Sequence, residues 1–281
     1  TKPMGGARLL IAGDRSHAGK STISLGLLCS LLDAGYKPSE LAYIKPATQC
    51  VSSTLTARFC EEHGIACEHI GPVVFYRGFT REFLDHEIDA AEQSADESSA
   101  RSEAHEEGVS SHHRTPTRPL PLTKCVAAVE RISEGKRLTI IDGVGYPSVG
   151  SIVGCSSADV ALACRAPVLI VSKSGIGDAI DSFNLCARYF EMQHIPVLGC
   201  IFNKAAKSGY YGLPTCRHYL RAYMTKFRPR QRVYGLLPQH EALAALSVDE
   251  TCGISYSHPE AGLHAGPLSQ PDRQGTEVLS R

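Results

Sequence analysis

The sequence predicts an α/β fold: a three-layer sandwich in which a mostly parallel sheet is covered by helices on both faces. Three observations lead there. Short, near-continuous apolar runs alternate with segments of helical periodicity. Several of these runs are flanked by glycine at their carboxyl ends. A glycine-containing loop joins the first run to the first helical segment. Strands that are apolar on both faces and linked by helices belong to a buried parallel sheet.

The elements follow in order. The first strand is Leu9-Leu10-Ile11-Ala12, and apolar periodicity then places a helix over residues 20–34. A second strand is expected at 41–44, followed by a helix at 55–63. After a long polar stretch come a helix at 122–134 and the strand Leu138-Thr139-Ile140-Ile141. Strands at 168–171, 197–202 and 233–237 alternate with helices at 178–194 and 213–227. Right-handed crossovers place the loop after each strand on one edge of the sheet. The residues following Ala12, Ile44, Ile141, Val171 and Phe202 therefore surround one crevice.

The first loop, Gly13-Asp14-Arg15-Ser16-His17-Ala18-Gly19-Lys20-Ser21-Thr22, is the most informative stretch. It fits a variant G-x5-G-K-S phosphate loop, with Gly13 one residue earlier than the usual first glycine. Strand, loop and helix together offer a polyphosphate backbone N–H groups and a positive helix end. Gly13, His17, Ala18, Gly19, Lys20, Ser21 and Thr22 are the expected nucleotide contacts. Lys20 would reach the β/γ-phosphates, and the Ser21 hydroxyl would ligate Mg²⁺. Hydrogen bonds to charged groups contribute roughly 1.5–3 kcal/mol. Loss of Lys20 should then weaken nucleotide binding about tenfold to a hundredfold.

A chain of 281 residues, 43% hydrophobic, suffices for one α/β domain, expected over residues 1–252. Lys+Arg and Asp+Glu both number 29, so no global charge directs the chain to nucleic acid or anionic membrane. No apolar stretch approaches the roughly 18 residues that span a bilayer. The start, Thr1-Lys2-Pro3-Met4, runs into the first strand without space for a secretory signal in the chain as given. Eleven scattered cysteines without a C-x-x-C pair read as buried thiols, in the cytoplasm or another reducing compartment. Residues 90–121 are polar and nearly free of large apolar side chains, and are expected to be a disordered insertion or a mobile loop over the site. Its histidines, His105, His112 and His113, read as part of a solvated linker rather than a metal site. Residues 253–281 are a polar tail, expected to be poorly ordered.

Other groups join the same edge. Lys45, before Pro46, can project over the crevice toward a phosphate or carboxylate, with Thr48 and Gln49 adding hydroxyl and amide groups. Asp142 ends a buried strand, where a direct or indirect Mg²⁺ ligand belongs. Gly143 and Gly145 let backbone approach the γ-phosphate or an acyl substrate. Ser174-Gly175-Ile176-Gly177 opens the next helix, either as another close approach or as a plain helix entry. Asn203 offers a donor and an acceptor that match an adenine edge. Arg217, Arg221, Lys226, Arg228, Arg230 and Arg232 read as a solvated face, one or two of which could meet an anionic ligand. Without aromatic interleaving they do not read as a nucleic-acid surface.

These motifs, in this order, resemble the dethiobiotin synthetase-like group of P-loop NTPases. The group includes dethiobiotin synthetase, cobyrinic acid a,c-diamide synthase and the amino-terminal domain of some phosphotransacetylases. The matching pieces are the loop at residues 13–21, Lys45-Pro46, Asp142-Gly143-Val144-Gly145, Gly175-Ile176-Gly177, Asn203 and Val233-Tyr234-Gly235-Leu236-Leu237-Pro238. The resemblance implies ATP and Mg²⁺ as cofactors, with Lys20 and Ser21 on the nucleotide and metal, and Asp142 as the acidic metal ligand. It implies catalytic roles for Lys20, Lys45 and Asp142, substrate contacts for Lys45, Thr48, Gln49, Gly143 and Gly145, and an adenine contact for Asn203. The implied chemistry is activation of a small carboxylate or carbamate by the γ-phosphate of ATP. Homodimers are common in the group. Dethiobiotin synthetase has an acidic metal ligand soon after its Lys-Pro motif, whereas residues 48–59 here hold no Asp or Glu. That difference argues against dethiobiotin as the product.

Three functions fit this reading. The first is an ATP- and Mg²⁺-dependent synthetase or ligase. The second is a non-catalytic ATP-binding regulatory domain, like that of the phosphotransacetylases. The third is a nucleotide-switch ATPase of the partition class, in which a signature Lys occupies the position held here by Arg15.

Overall fold

The computed structural model describes residues 6–49, 51–88 and 120–240. Strand β1 (Ala7–Gly13) runs into the phosphate loop and helix α1 (Lys20–Asp33). Then come β2 (Leu41–Ile44), the two-residue β3 (Ala47–Thr48), α2 (Leu55–Glu62), β4 (Ala66–Cys67) and β5 (Val73–Val74). Residues 79–88 are helical and are labelled α3. The second half comprises α4 (Leu120–Ser133), β6 (Leu138–Asp142), α5 (Ser157–Ala163), β7 (Val168–Lys173), α6 (Gly177–Glu191), β8 (Val197–Ala205), α7 (Leu213–Phe227) and β9 (Arg232–Pro238).

Seven strands form one sheet in the order β4-β2-β6-β1-β7-β8-β9, every pair parallel. β3 and β5 form a separate parallel ribbon. The central strands are buried on both faces, which is why they read as unbroken apolar runs. One face packs Ile11, Tyr43, Ile140 and Val171 with Ile23 and Leu28 of α1 and Ala57 and Cys60 of α2. The other packs Leu10, Ile141, Ile170 and Phe202 with Cys125 of α4, Phe183 and Phe190 of α6, and Leu220 of α7. This is the expected three-layer α/β sandwich.

Several boundaries differ from expectation. β1 runs from Ala7 to Gly13, so Gly13 is the last residue of the strand. β8 continues to Ala205 and carries Asn203 within it. Residues 120–121, at the end of the expected polar insertion, lie in α4. Buried Leu122, Cys125, Val126 and Val129 hold this helix against the core. The rest of the expected insertion and the tail at 253–281 lie outside the described residues. Among the described residues, no helix is long and apolar enough to cross a membrane. The nine described cysteines are free thiols, and burial pushes Cys60 up to about 12 and Cys186 to about 11.

Candidate functional site

The phosphate loop is built by β1 and α1 and braced from two other strands. Gly13 has to be small. A Cβ there would lie 2.9 Å from the Arg15 carbonyl oxygen and 3.0 Å from Lys20 Nζ. Gly19 caps α1 with φ +96°, and a Cβ would stand 2.4 Å from Asn203 Nδ2. From β8, Asn203 Nδ2 donates to the Ala18 carbonyl (3.0 Å) and Lys204 Nζ to the His17 carbonyl (2.8 Å). From β7, the Lys173 N–H donates to Asp14 Oδ2 (2.9 Å). Asp14 thus fills the position of the missing glycine as a brace whose side chain is wholly buried. His17 and Thr22 are exposed, and Ala18 is buried.

Lys20 is only 7% exposed, and its ammonium lies 3.4 Å from the Arg15 carbonyl. Its pKa is lowered from 10.5 to about 8, chiefly by burial and also by Lys45, with Asp142 and Asp14 opposing the shift.

The chemistry converges on Asp142 at the carboxyl end of β6. Its side chain is fully buried, and Oδ2 accepts from Ser21 Oγ at 2.6 Å and Tyr43 Oη at 2.9 Å. Lys45 Nζ lies 3.4 Å from the same oxygen and 3.3 Å from Ser21 Oγ. Asp142 Oδ1 is buried with no hydrogen-bond partner among the described residues. A buried carboxylate with one oxygen unpartnered, and the other accepting from a serine hydroxyl, fits a hard divalent cation, which takes oxygen ligands. Thr56 Oγ1 donates to the Ser21 carbonyl (2.9 Å), tying α2 to the start of α1.

The remaining expected residues divide. The Gly143 N–H donates to the Ile11 carbonyl (3.0 Å), which fixes the loop after β6 to β1. Gly143 lines a small cleft with Pro46, Ala47, Asp142, Val144 and Cys155, whereas Gly145 lies further along the same loop. Thr48 is buried in the β3–β5 ribbon and Gln49 is exposed. Arg228, one of the cations that could have met a ligand, is spent in the fold. Its guanidinium bonds Asn184 Oδ1 (3.0 Å) and Glu191 Oε1 (2.7 Å). Sequence reasoning missed Tyr43, Thr56, Asp14 and Lys204. A tyrosine in an otherwise aliphatic strand was the available signal for the first, because a buried hydroxyl needs a partner. Asp14 was marked only by standing where the usual first glycine of the loop falls, and nothing in the sequence marked Thr56 or Lys204.

A protein-family profile described as an AAA domain (AAA_26) matches residues 7–247. The chain belongs to that family. The match covers the whole described sheet and agrees with a dethiobiotin synthetase-like P-loop NTPase. Cobyrinate a,c-diamide synthases of Methanosarcina barkeri and Methanosarcina acetivorans are each 46% identical over 57 residues, 19% of this chain and 11% of the relative. The match thus spans about a tenth of the length of those relatives. A solved Cyanothece McdA–ATP complex aligns over 85% of both chains at 15% identity, with a TM-score of 0.45.

Proposed function

We infer that this AAA-family domain is an ATP- and Mg²⁺-dependent synthetase-type enzyme that activates a small carboxylate or carbamate by phosphoryl transfer. The observation that carries the reading is the cluster of Ser21, Asp142 and Lys45 beside the phosphate loop, with all three polar heads within 3.4 Å of one another. A loop that only held nucleotide would not need a second, largely buried lysine there.

Each residue has a defined task. The loop amides and Lys20 bind and orient the phosphates, and neutralising the charge that develops on them contributes most of the expected catalysis. Ser21 and Asp142 would hold the magnesium, which supplies charge neutralisation at the phosphates when bound. Tyr43 holds the Asp142 carboxylate in place. Lys45 faces the second substrate and would steady its carboxylate or carbamate. Gly143 and Pro46 shape the adjoining cleft. A short segment shared with cobyrinate a,c-diamide synthases supports a ligase-like reading.

The test is ADP release with Mg·ATP against a panel of diamino, dicarboxylic and acyl substrates. Substrate-stimulated turnover that disappears in Lys45→Ala is the expected result. Nucleotide binding without stimulated turnover by any compound would favour a regulatory domain, and ATP-dependent dimerisation without it would favour a nucleotide switch.

A further inference from the structure

The Lys45 ammonium lies against the two groups that the proposed function assigns to the cation. It is 3.3 Å from Ser21 Oγ and 3.4 Å from Asp142 Oδ2, and those two oxygens are 2.6 Å apart. Mg²⁺ needs oxygen ligands at about 2.0–2.1 Å. An ammonium at this place and a metal bound by the same two oxygens exclude each other. Both lysine contacts are longer than the usual 2.7–3.2 Å of an N–H···O bond. Ser21 and Tyr43 hold the carboxylate more closely, at 2.6 and 2.9 Å. So the two hydroxyls hold this carboxylate oxygen more closely than the ammonium does.

Charge balance explains why a cation is there at all. Asp142 is completely buried, and an ionised carboxylate in such a place is strongly unfavourable without a counter-charge. Lys20, the other nearby lysine, lies against the Arg15 carbonyl instead.

We propose that Lys45 is a stand-in for the divalent cation, occupying its place between Ser21 and Asp142 and exchanging with it when metal and nucleotide enter. Because the inference rests on Ser21 and Asp142 being the metal ligands, its test separates the two ideas. Metal binding thereby becomes an exchange of one cation for another at Asp142. The Lys45 head is released toward an anionic second substrate only after the metal is seated.

The experiment is titration of the full chain with Mn²⁺, followed by electron paramagnetic resonance, for wild type, Lys45→Met, Lys20→Met and Asp142→Asn, each with and without ADP. Removing the competing ammonium should tighten Mn²⁺ binding by about tenfold or more in Lys45→Met, by Coulomb's law at this short range. Lys20→Met reports the effect of removing a nearby positive charge that does not occupy the seat, and its gain should be clearly smaller. The Lys45→Met gain should vanish when Asp142→Asn is added. Equal gains in the two lysine variants, or unchanged or weaker binding in Lys45→Met, would overturn the exchange while leaving the metal site standing. Mn²⁺ binding that is insensitive to Asp142→Asn, even with ADP, would overturn the metal site and the exchange together. Should Lys45→Met fail to fold, a crystal structure of wild type with Mn²⁺ and ADP reads the same question. The Lys45 ammonium should have left both oxygens, and retention of both contacts would overturn the proposal.

Discussion

Lys20 is a cation kept out of water, and its charge state should govern nucleotide binding above neutral pH. Its pKa in the folded protein is about 8, against 10.5 in an exposed lysine. The unfolded chain therefore binds more protons between about pH 8 and 10.5, and this group's contribution to stability rises with pH across that window. Below about pH 8 the cost of burying the charged amine is fully present. Nucleotide phosphates favour the charged form. Affinity should thus fall as pH rises through about 8, and Lys20→Arg, which stays charged, should flatten the profile. Isothermal titration with ADP at stepped pH values measures both curves. Asn203 gives a second prediction. Its amide nitrogen donates one hydrogen bond to the Ala18 carbonyl, so Asn203→Ala should loosen the phosphate loop. Expected losses are about 0.5–1.5 kcal/mol for the missing hydrogen bond, or roughly twofold to tenfold in affinity. ATP and GTP should suffer equally, as competition assays would show. A selective loss of ATP would instead place Asn203 on the adenine edge, the contact expected from the sequence.

At the scale of elements, one polar cluster joins α6, the end of α7 and the turn into β9. Arg228 lies over Phe183 and bonds Asn184 and Glu191, while Gln231 Nε2 donates to Glu191 Oε1 at 2.6 Å. The Arg228 side chain is 11% exposed. Arg228→Ala should lower stability by about 2–4 kcal/mol, because Glu191 is left without its main counter-charge in a partly buried place. Urea unfolding measures the loss, and nucleotide affinity at saturating stability should be unchanged. The sequence showed Arg228 only as one of six cations, since a charge run looks the same whether its members are solvated or locked. Long periodic elements were legible in advance, and α7 matches its expected limits. The short ones were not. α5 is seven residues with four of them buried, so it shows no amphipathic period. Its one legible mark was the capping box, in which Ser156 and Asp159 satisfy each other's backbone N–H groups. β4 and β5, at two residues each, are created by pairing rather than by local pattern.

At the scale of the molecule, the sheet order explains how distant motifs meet. β6 lies between β2 and β1, so the ends of all three strands share one edge. That placement brings Lys45 and Asp142, 97 positions apart, to within 3.4 Å. Crossover rules made this convergence legible, because they assign every strand's carboxyl end to one side. They could not assign partners within it, which depend on strand order and on side-chain reach. Tyr43 beneath Asp142 and the Lys45–Ser21 contact are consequences of that order. A ligand seated here touches segments from both halves of the chain. It should therefore raise the melting temperature of the whole domain. At a hundred times its Kd, Mg·ATP should add about 2.7 kcal/mol.

The most direct test is isothermal titration of ATP into wild type and Asp142→Asn, with Mg²⁺ and with excess chelator. The account predicts that Mg²⁺ tightens ATP binding by about tenfold or more in wild type and has little effect in Asp142→Asn, which lacks the anionic ligand. Absence of binding at millimolar ATP in wild type, or the same Mg²⁺ effect in both proteins, would contradict it.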